Sequence, residues 1–593
     1  MALAASAQEL TWDLSDLYRS PADPRIDQDL EASRMAAEGL AGRYRGRVVT
    51  LSPQDLRILL EDYESLLDRL YRPTTYASLS FAADTGDQTV QALLARTREH
   101  ATQTITRLQF LDIELKTAPD ETFAAWQTSP VLTRYRHFLG ALRRYAPHTL
   151  GEAEERILAL KSLTGASAWV QLFDETVAQI RIPLEVDGAR HELTLDEVRA
   201  LRSRPERELR ARATHAIHEA HRERSHVLTY VFNTVFQDHK LDLELRRYGS
   251  PLEPTLLDDE LGPEVVESLM ATTEAHYGLA QRYYRAKARV LGMSDFATHD
   301  LLAPLESAER RVPFTEAQEL VLDSFASFSP EFSAIARRHF ESRWIDVLPR
   351  PGKRGGAFCA ASVPSLHPYV LTNYNERLED VSTVAHELGH AIHFSLASRQ
   401  TLLNYGPTTP MAETASVFGE IVLMRRLIQQ EKDPVARRSL LAARIEDVLA
   451  TVFRQVMYTR WEQEAHARRA EGVLTADEYG KIWRGQLERL YGDAVRLGAL
   501  DSWGWIGIPH FIHSRFYCYS YAFGQLLVLA LYRRYQEEGD RFVPRYLELL
   551  ASGGSGTPEE LLGRVGIDIA QPRFWQEGFQ MVEALVQEFE AVT

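Results

Sequence analysis

Residues 379–399, EDVSTVAHELGHAIHFSLASR, constrain the fold of this 593-residue chain more than any other stretch. Val381, Val384, Ala385, Leu388, Ala391 and Ile392 recur at the spacing of one helical face, and no proline interrupts them. The pattern predicts a helix with that stripe against a core and His386 and His390 on the other side. One turn, a rise of ~6 Å, separates the two imidazoles, so both can converge on one tetrahedral metal ion with Glu387 beside them. With 19 histidines in the chain, chance would produce His-Glu-x-x-His about 0.05 times, so the match says more than composition does. The bland alternative is a pair of exposed or core histidines.

A catalytic zinc needs a third protein ligand and an open fourth position for water. The candidate is Glu413, in MAETASVFGEIVLMRRL, where Glu413, Ser416 and Glu420 share one helical face. Carboxylates on a helix are usually just solvated. The apolar neighbours Ala412, Ala415, Val417 and Phe418 favour a buried, coordinated Glu413, with Glu420 two turns on orienting a ligand. His393 lies ~10 Å along the helix from His386, too far to share its ion. With His393 and Leu396 where a metzincin carries Gly and a third His, that family is excluded.

Elsewhere the helical pattern dominates. Leu56, Leu59, Leu60, Tyr63, Leu66, Leu67 and Leu70 typify residues 25–175. IRIPLEVDGARHELTL (180–195) reads as a hairpin turning at Asp187-Gly188, followed by a capping box from Thr194 to Glu197. Residues 350–375 hold two short strand-like runs, around AFCAASV and YVLTNY, so a small sheet is expected just before the motif helix. The fold class is mainly α with a minor β element. A formal net charge of −16 disfavours nucleic acid and anionic membranes as partners. No apolar run approaches ~18 residues, no secretory signal is legible, and two cysteines exclude a disulfide framework, so the expected location is cytoplasmic.

WGWIGIPHFIHSRFYCYSYAFGQ (503–525) is crowded with polar aromatics. On a helix, His513, Tyr517 and Tyr521 share one face, with His510 a turn earlier. Aromatic stripes are more often core, yet a phenol or imidazole could stabilise an oxyanion opposite a metal. His510, Tyr517 and Tyr521 are therefore candidates, with Tyr519 behind them.

Together, GGAFC, YVLTNYNERLEDVSTVAHELGHAIH, MAETASVFGE and IPHFIHSRFYCYSYAFG resemble the oligoendopeptidase F family of thimet-oligopeptidase-like zinc metallopeptidases. WDLSDLY (12–18), LKSLTGASAWVQLFDE (160–175) and HDLLAPL (299–305) extend the resemblance along nearly the whole chain. It implies a two-lobed or bowl-like helical molecule with a deep channel, admitting short unfolded peptides to one zinc ion held by His386, His390 and Glu413. It also implies an N-terminal helical region (1–115), an oligopeptidase F-type segment with the hairpin (116–200) and a catalytic domain (201–593). Gly355, Gly356 and Ala357 would pair with substrate backbone as a strand, with His513 and Tyr519 near the substrate. Family members often carry Tyr where this chain has His513, which leaves the oxyanion donor open.

The expected activity is hydrolysis of internal peptide bonds, with Glu387 as general base. A metallocarboxypeptidase of similar architecture is the rival enzyme, although its HESQ element is absent. A non-catalytic peptide-binding protein is the rival of another class, and the intact Glu387 argues against it.

Overall fold

The computed structural model describes residues 10–305 and 311–592. They form two compact units, a partition by packing rather than by sequence order: residues 1–149, 309–429 and 531–568 belong to the first, the remainder to the second. Among the described residues no helix is long and apolar enough to cross a membrane.

The first unit opens with three long helices, α1 (Pro24–Tyr44), α2 (Pro53–Ala83) and α3 (Gln88–Lys116). Their starts are written locally. Asp23, Ser52 and Asp87 each accept a first-turn amide at the N-cap, and Pro24 and Pro53 stand where a missing N–H costs nothing. Leu56, Leu59, Leu60, Leu66, Leu67 and Leu70 of α2 are buried with Leu108 and Leu111 of α3. Further along, Tyr76 and Leu79 of α2 join Trp12, Tyr18, Tyr369 and Leu371 in a second cluster. One helix thus serves both cores, and its C-terminal half lies along a sheet.

In the second unit, α4 (Ala166–Ala178) precedes the hairpin of β1 (Arg181–Val186) and β2 (Ala189–Thr194). Asp187 and Gly188 both take positive φ, 52° and 79°, as a tight two-residue turn requires. Thr194 and Glu197 cap the following helix reciprocally.

Back in the first unit, α5 (Phe314–Phe328) leads to the small sheet. Its order is β3 (Ile345–Asp346), β5 (Tyr369–Leu371), β4 (Phe358–Ala360), with β5 parallel to β3 and antiparallel to β4. The central β5 is fully buried and β4 forms an edge. The motif helix α6 (Leu378–Ala397) follows and buries its whole predicted stripe. Glu413 then sits at the break between a one-turn helix (Thr409–Ala412) and α7 (Thr414–Gln430).

Helices α6 and α7 meet through two glycines. A Cβ on Gly389 would stand 2.5 Å from the Ala415 oxygen and Ser416 Cα, and one on Gly419 would meet the Ala385 oxygen and Phe325 Cζ at 3.1 Å. Backbone therefore touches backbone, closer than any side chain allows. Behind α7, Phe418 packs on Phe328 and Tyr546, and the Tyr546 hydroxyl donates to the Thr414 carbonyl at 2.9 Å.

Gly389→Ala should lower stability by about 1–3 kcal/mol through this clash, whereas Gly485→Ala, whose new Cβ meets nothing within 4 Å, should raise it by up to ~1 kcal/mol. Thermal unfolding of the two variants checks the contrast; equal shifts would contradict a tight crossing at Gly389.

Candidate metal centre

The crossing of α6 and α7 brings three donor atoms together. His386 Nε2 lies 3.1 Å from His390 Nε2, and Glu413 Oε2 lies 3.4 and 3.5 Å from them. Neighbouring donors of a tetrahedral ion with bonds of ~2.0–2.1 Å are ~3.3–3.4 Å apart, so the triangle fits a zinc-sized cation. Two imidazoles and a carboxylate are also the donor chemistry of a catalytic zinc site with an open position. Among the described residues, this is the cluster of three such side chains able to hold one ion.

Two of the donors are held from behind. His386 donates Nδ1–H to Glu420 Oε1 at 2.5 Å, which turns Nε2 toward the triangle. Ser416 donates its hydroxyl to Glu413 Oε2 at 2.7 Å. Burial pushes His390 down to about 4. On His386 burial acts the same way, but the Glu420 hydrogen bond and the charges of Glu420 and Glu413 outweigh it and raise the imidazole to about 9. Without a metal, the cluster thus holds a proton among its carboxylates, the place a cation would take. Glu387 is buried, which lifts its carboxyl to about 7; the His386 charge opposes the rise and Glu413 adds to it. His393 is buried in the interior and its Nδ1 has no hydrogen-bond partner, so it belongs to the packing.

Edge strand β4 lies beside this centre. Burial, then the charge of Glu387, raises the Cys359 thiol above its ordinary value. Gly355 and Gly356 precede the strand proper, which begins at Phe358. Gly356 has φ +80°, outside the extended region, and this ends the strand that the sequence placed over Gly355, Gly356 and Ala357. A Cβ on either glycine would meet nothing within 4 Å, so the approach is open. Asn373, which the sequence reading missed, donates its side-chain amide to the carbonyls of Arg354 and Gly356 at 2.9 and 2.7 Å and sets this loop. A lone Asn after a strand carries no sequence signal for that task.

In the second unit, His510, Tyr517 and Tyr521 form one cluster. His510 lies 3.3 Å from the Tyr521 hydroxyl, stacks in parallel with Tyr517 at 6.1 Å, and Tyr517 meets Tyr521 edge-on. His513 turns away to Asp174 of α4 at 2.8 Å and packs on Phe173. Tyr519, expected near the substrate, is fully buried and donates its hydroxyl to the buried Asp259 at 2.6 Å, which withdraws it from a peptide. The single helix expected over this stretch is broken: His510–His513 forms one turn, residues 514–517 are non-helical with Phe516 at φ +57°, and a long helix starts only at Cys518, with Tyr519 in its first turn held by Asp259.

Burial lifts the Asp259 carboxyl to about 6, although the Tyr519 and Ser520 hydroxyls pull it down. A carboxyl raised in the fold stabilises below its ordinary value, and that stability is lost as pH rises through about 6. Asp259→Asn should therefore gain about 2 kcal/mol relative to the parent between pH 4 and pH 7.5. Unfolding midpoints at the two pH values check it; a pH-independent difference would contradict it.

Residues 200–581 match the family model described as Peptidase family M3, and residues 114–182 match that described as Oligopeptidase F. Oligopeptidase PepF of Bacillus subtilis (strain 168) is 26% identical over 591 residues, spanning 98% of this chain and 87% of that protein. A crystal structure of a protein from Chlamydophila abortus is 26% identical, covers 99% of both chains and aligns with a TM-score of 0.91. Oligoendopeptidase-F from Enterococcus faecium, 22% identical over 96% of this chain and 99% of its own, aligns at 0.70, a likeness of fold.

Proposed function

The chain belongs to peptidase family M3, and on that premise we propose that it is a zinc-dependent oligoendopeptidase hydrolysing internal bonds of short unfolded peptides. Peptidase activity on peptides follows from the family; metal, bond and residues are our assignment. The observation that carries it is the donor triangle of His386, His390 and Glu413 with the buried Glu387 beside it.

His386, His390 and Glu413 would hold one zinc ion per chain, which when bound supplies Lewis-acid chemistry, acidifying water and polarising the scissile carbonyl. Glu387 takes the proton from the attacking water and returns it to the departing amine. A carboxyl lifted by burial is suited to both steps, because its affinity for the proton is close to balanced near neutral pH. Glu420 keeps the His386 ring oriented through Nδ1. The edge of β4 offers unpaired backbone to an extended peptide, and Gly355 and Gly356, just ahead of Ala357, leave its approach clear. For the oxyanion, the sequence nominates His510, Tyr517 and Tyr521, and single Tyr→Phe and His→Gln changes identify the donor by a fall in kcat. Two unpaired thiols suit a reducing compartment, and we assign the protein to the cytoplasm.

Glu387→Gln should retain metal and lose turnover by ~10²–10⁴-fold. Glu420→Ala should instead weaken metal affinity by ~10–100-fold. Metal content, chelator competition and product mass spectra separate the two; near-normal turnover by metal-loaded Glu387→Gln would sink the mechanism. Release of single C-terminal residues would replace endopeptidase by carboxypeptidase.

A further inference from the structure

Two cavities lie end to end along one face of α2, both wholly within the first unit. The smaller, about 320 Å³, is bounded by Thr74, Thr75, Ser78 and Leu79 of α2 and by β4 with its flanking residues. The larger, about 540 Å³, is bounded by the preceding turns of α2, from Glu64 to Arg72, by Pro364 and Ser365, and by the 400–402 segment after α6. Asp68, Arg72, Thr75 and Leu79 follow at intervals of four, three and four, so they form one continuous helix face. The opposite wall is continuous as well, since β4 runs through residues 361–362 into Pro364 and Ser365. An extended peptide laid on the edge of β4 therefore has a path into the larger cavity.

The charges there are unevenly committed. Glu64 accepts the Tyr135 hydroxyl at 2.8 Å and the Leu403 amide at 2.9 Å. Asp68 is taken by Arg72 at 2.8 Å and by the Ser365 hydroxyl, and Arg72 also donates to Ser365. Asp29 accepts the Tyr18 hydroxyl at 2.7 Å. Arg69, half-exposed, has only a 3.9 Å contact with Asp29, and Arg134 gives one donor to the Arg399 carbonyl at 3.3 Å. Glu64 and Asp68 are taken and Asp29 offers Arg69 only a loose 3.9 Å ion pair through Oδ1, so two guanidinium groups keep most of their donors for something else, and the ligand that matches a guanidinium fork is a carboxylate.

We propose that the larger cavity is a subsite for a carboxylate of the peptide substrate, received by Arg69 and Arg134, with Arg72, Asp68 and Ser365 bracing the wall. Arg69 and Thr75 are six residues apart on α2, ~9 Å along its axis, which is about three residues of extended peptide. The subsite thus favours substrates whose carboxylate falls about three residues beyond the portion paired with β4. It gives a preference for short chains that needs no steric limit. The inference rests on the reading of this protein as a peptidase of short peptides, because that reading puts an extended peptide on β4.

The test is the binding of fluorescent decapeptides to metal-loaded Glu387→Gln protein, read by anisotropy without turnover. One peptide ends in a free carboxylate, its twin in an amide, and a third in Asp-amide. The free acid should bind about tenfold more tightly than the amide. That gap should close to under twofold in Arg69→Ala and persist in part in Arg69→Lys. Tight binding of Asp-amide assigns the contact to a side-chain carboxylate, and weak binding assigns it to the chain terminus; either supports the site. Equal affinity of acid and amide, no binding of either, or a gap unchanged in both Arg69→Ala and Arg134→Ala overturns it. Cleavage by the unsubstituted protein is scored separately. A carboxylate gap without cleavage would refute the peptidase reading and keep the site, and cleavage without a gap would do the reverse.

Discussion

The backbone contact between α6 and α7 is the constraint on which the centre depends. Gly389 and Gly419 remove the two Cβ atoms that would hold the helices apart, and only at that separation can Glu413 Oε2 come within 3.5 Å of both imidazoles. The same approach lets Glu420, two turns further on, reach Nδ1 of His386. Four acids and bases are thereby packed into a space that burial makes electrostatically demanding. The opposite pulls on His386 and His390 are the result, with one ring raised and the other lowered. Such strain is resolved when a cation joins two carboxylates and two neutral imidazoles, the state a metal site is built for.

The supporting structure serves to make that crossing rigid. The Phe328–Phe418–Tyr546 cluster and the Tyr546 hydrogen bond to Thr414 hold the start of α7, next to Glu413. On the other side, α6 buries its apolar stripe, and the three-stranded sheet lies next to it with the half-buried β4 at its edge. The edge strand and the motif helix come into electrostatic contact at Cys359 and Glu387. An edge strand is normally an aggregation hazard, and its retention beside a reactive centre is understandable where an extended ligand is to be received.

Much of this was legible in the sequence because it is local. The stripe from Val381 to Ile392, the Asp187-Gly188 turn and the Thr194–Glu197 box depend on neighbours within a few residues, and the structure reproduces them. Glu413 could be nominated because apolar residues surround it, but the burial expected of it is not found: its neighbours Ala415, Val417 and Phe418 are buried while its own side chain, at the break between two helices, stays 39% exposed. What was not legible depends on φ angles or distant partners. Gly356 looks like a strand residue until its positive φ is known. Tyr519 looks like its neighbours Tyr517 and Tyr521 until Asp259, 260 residues earlier, accepts its hydroxyl. The uncommitted donors of Arg69 and Arg134 are visible only once the partners of Glu64 and Asp68 and the loose 3.9 Å pairing of Asp29 with Arg69 are known.

The central claim is that His386, His390 and Glu413 hold a metal that makes this chain an endopeptidase. The most direct measurement is hydrolysis of an internally quenched peptide of about ten residues, blocked at both ends, followed before chelation, after chelation and after zinc is returned. The account predicts internal cleavage that chelation abolishes and zinc restores. Cleavage that survives complete removal of the metal, or none from protein carrying one zinc per chain, would contradict it.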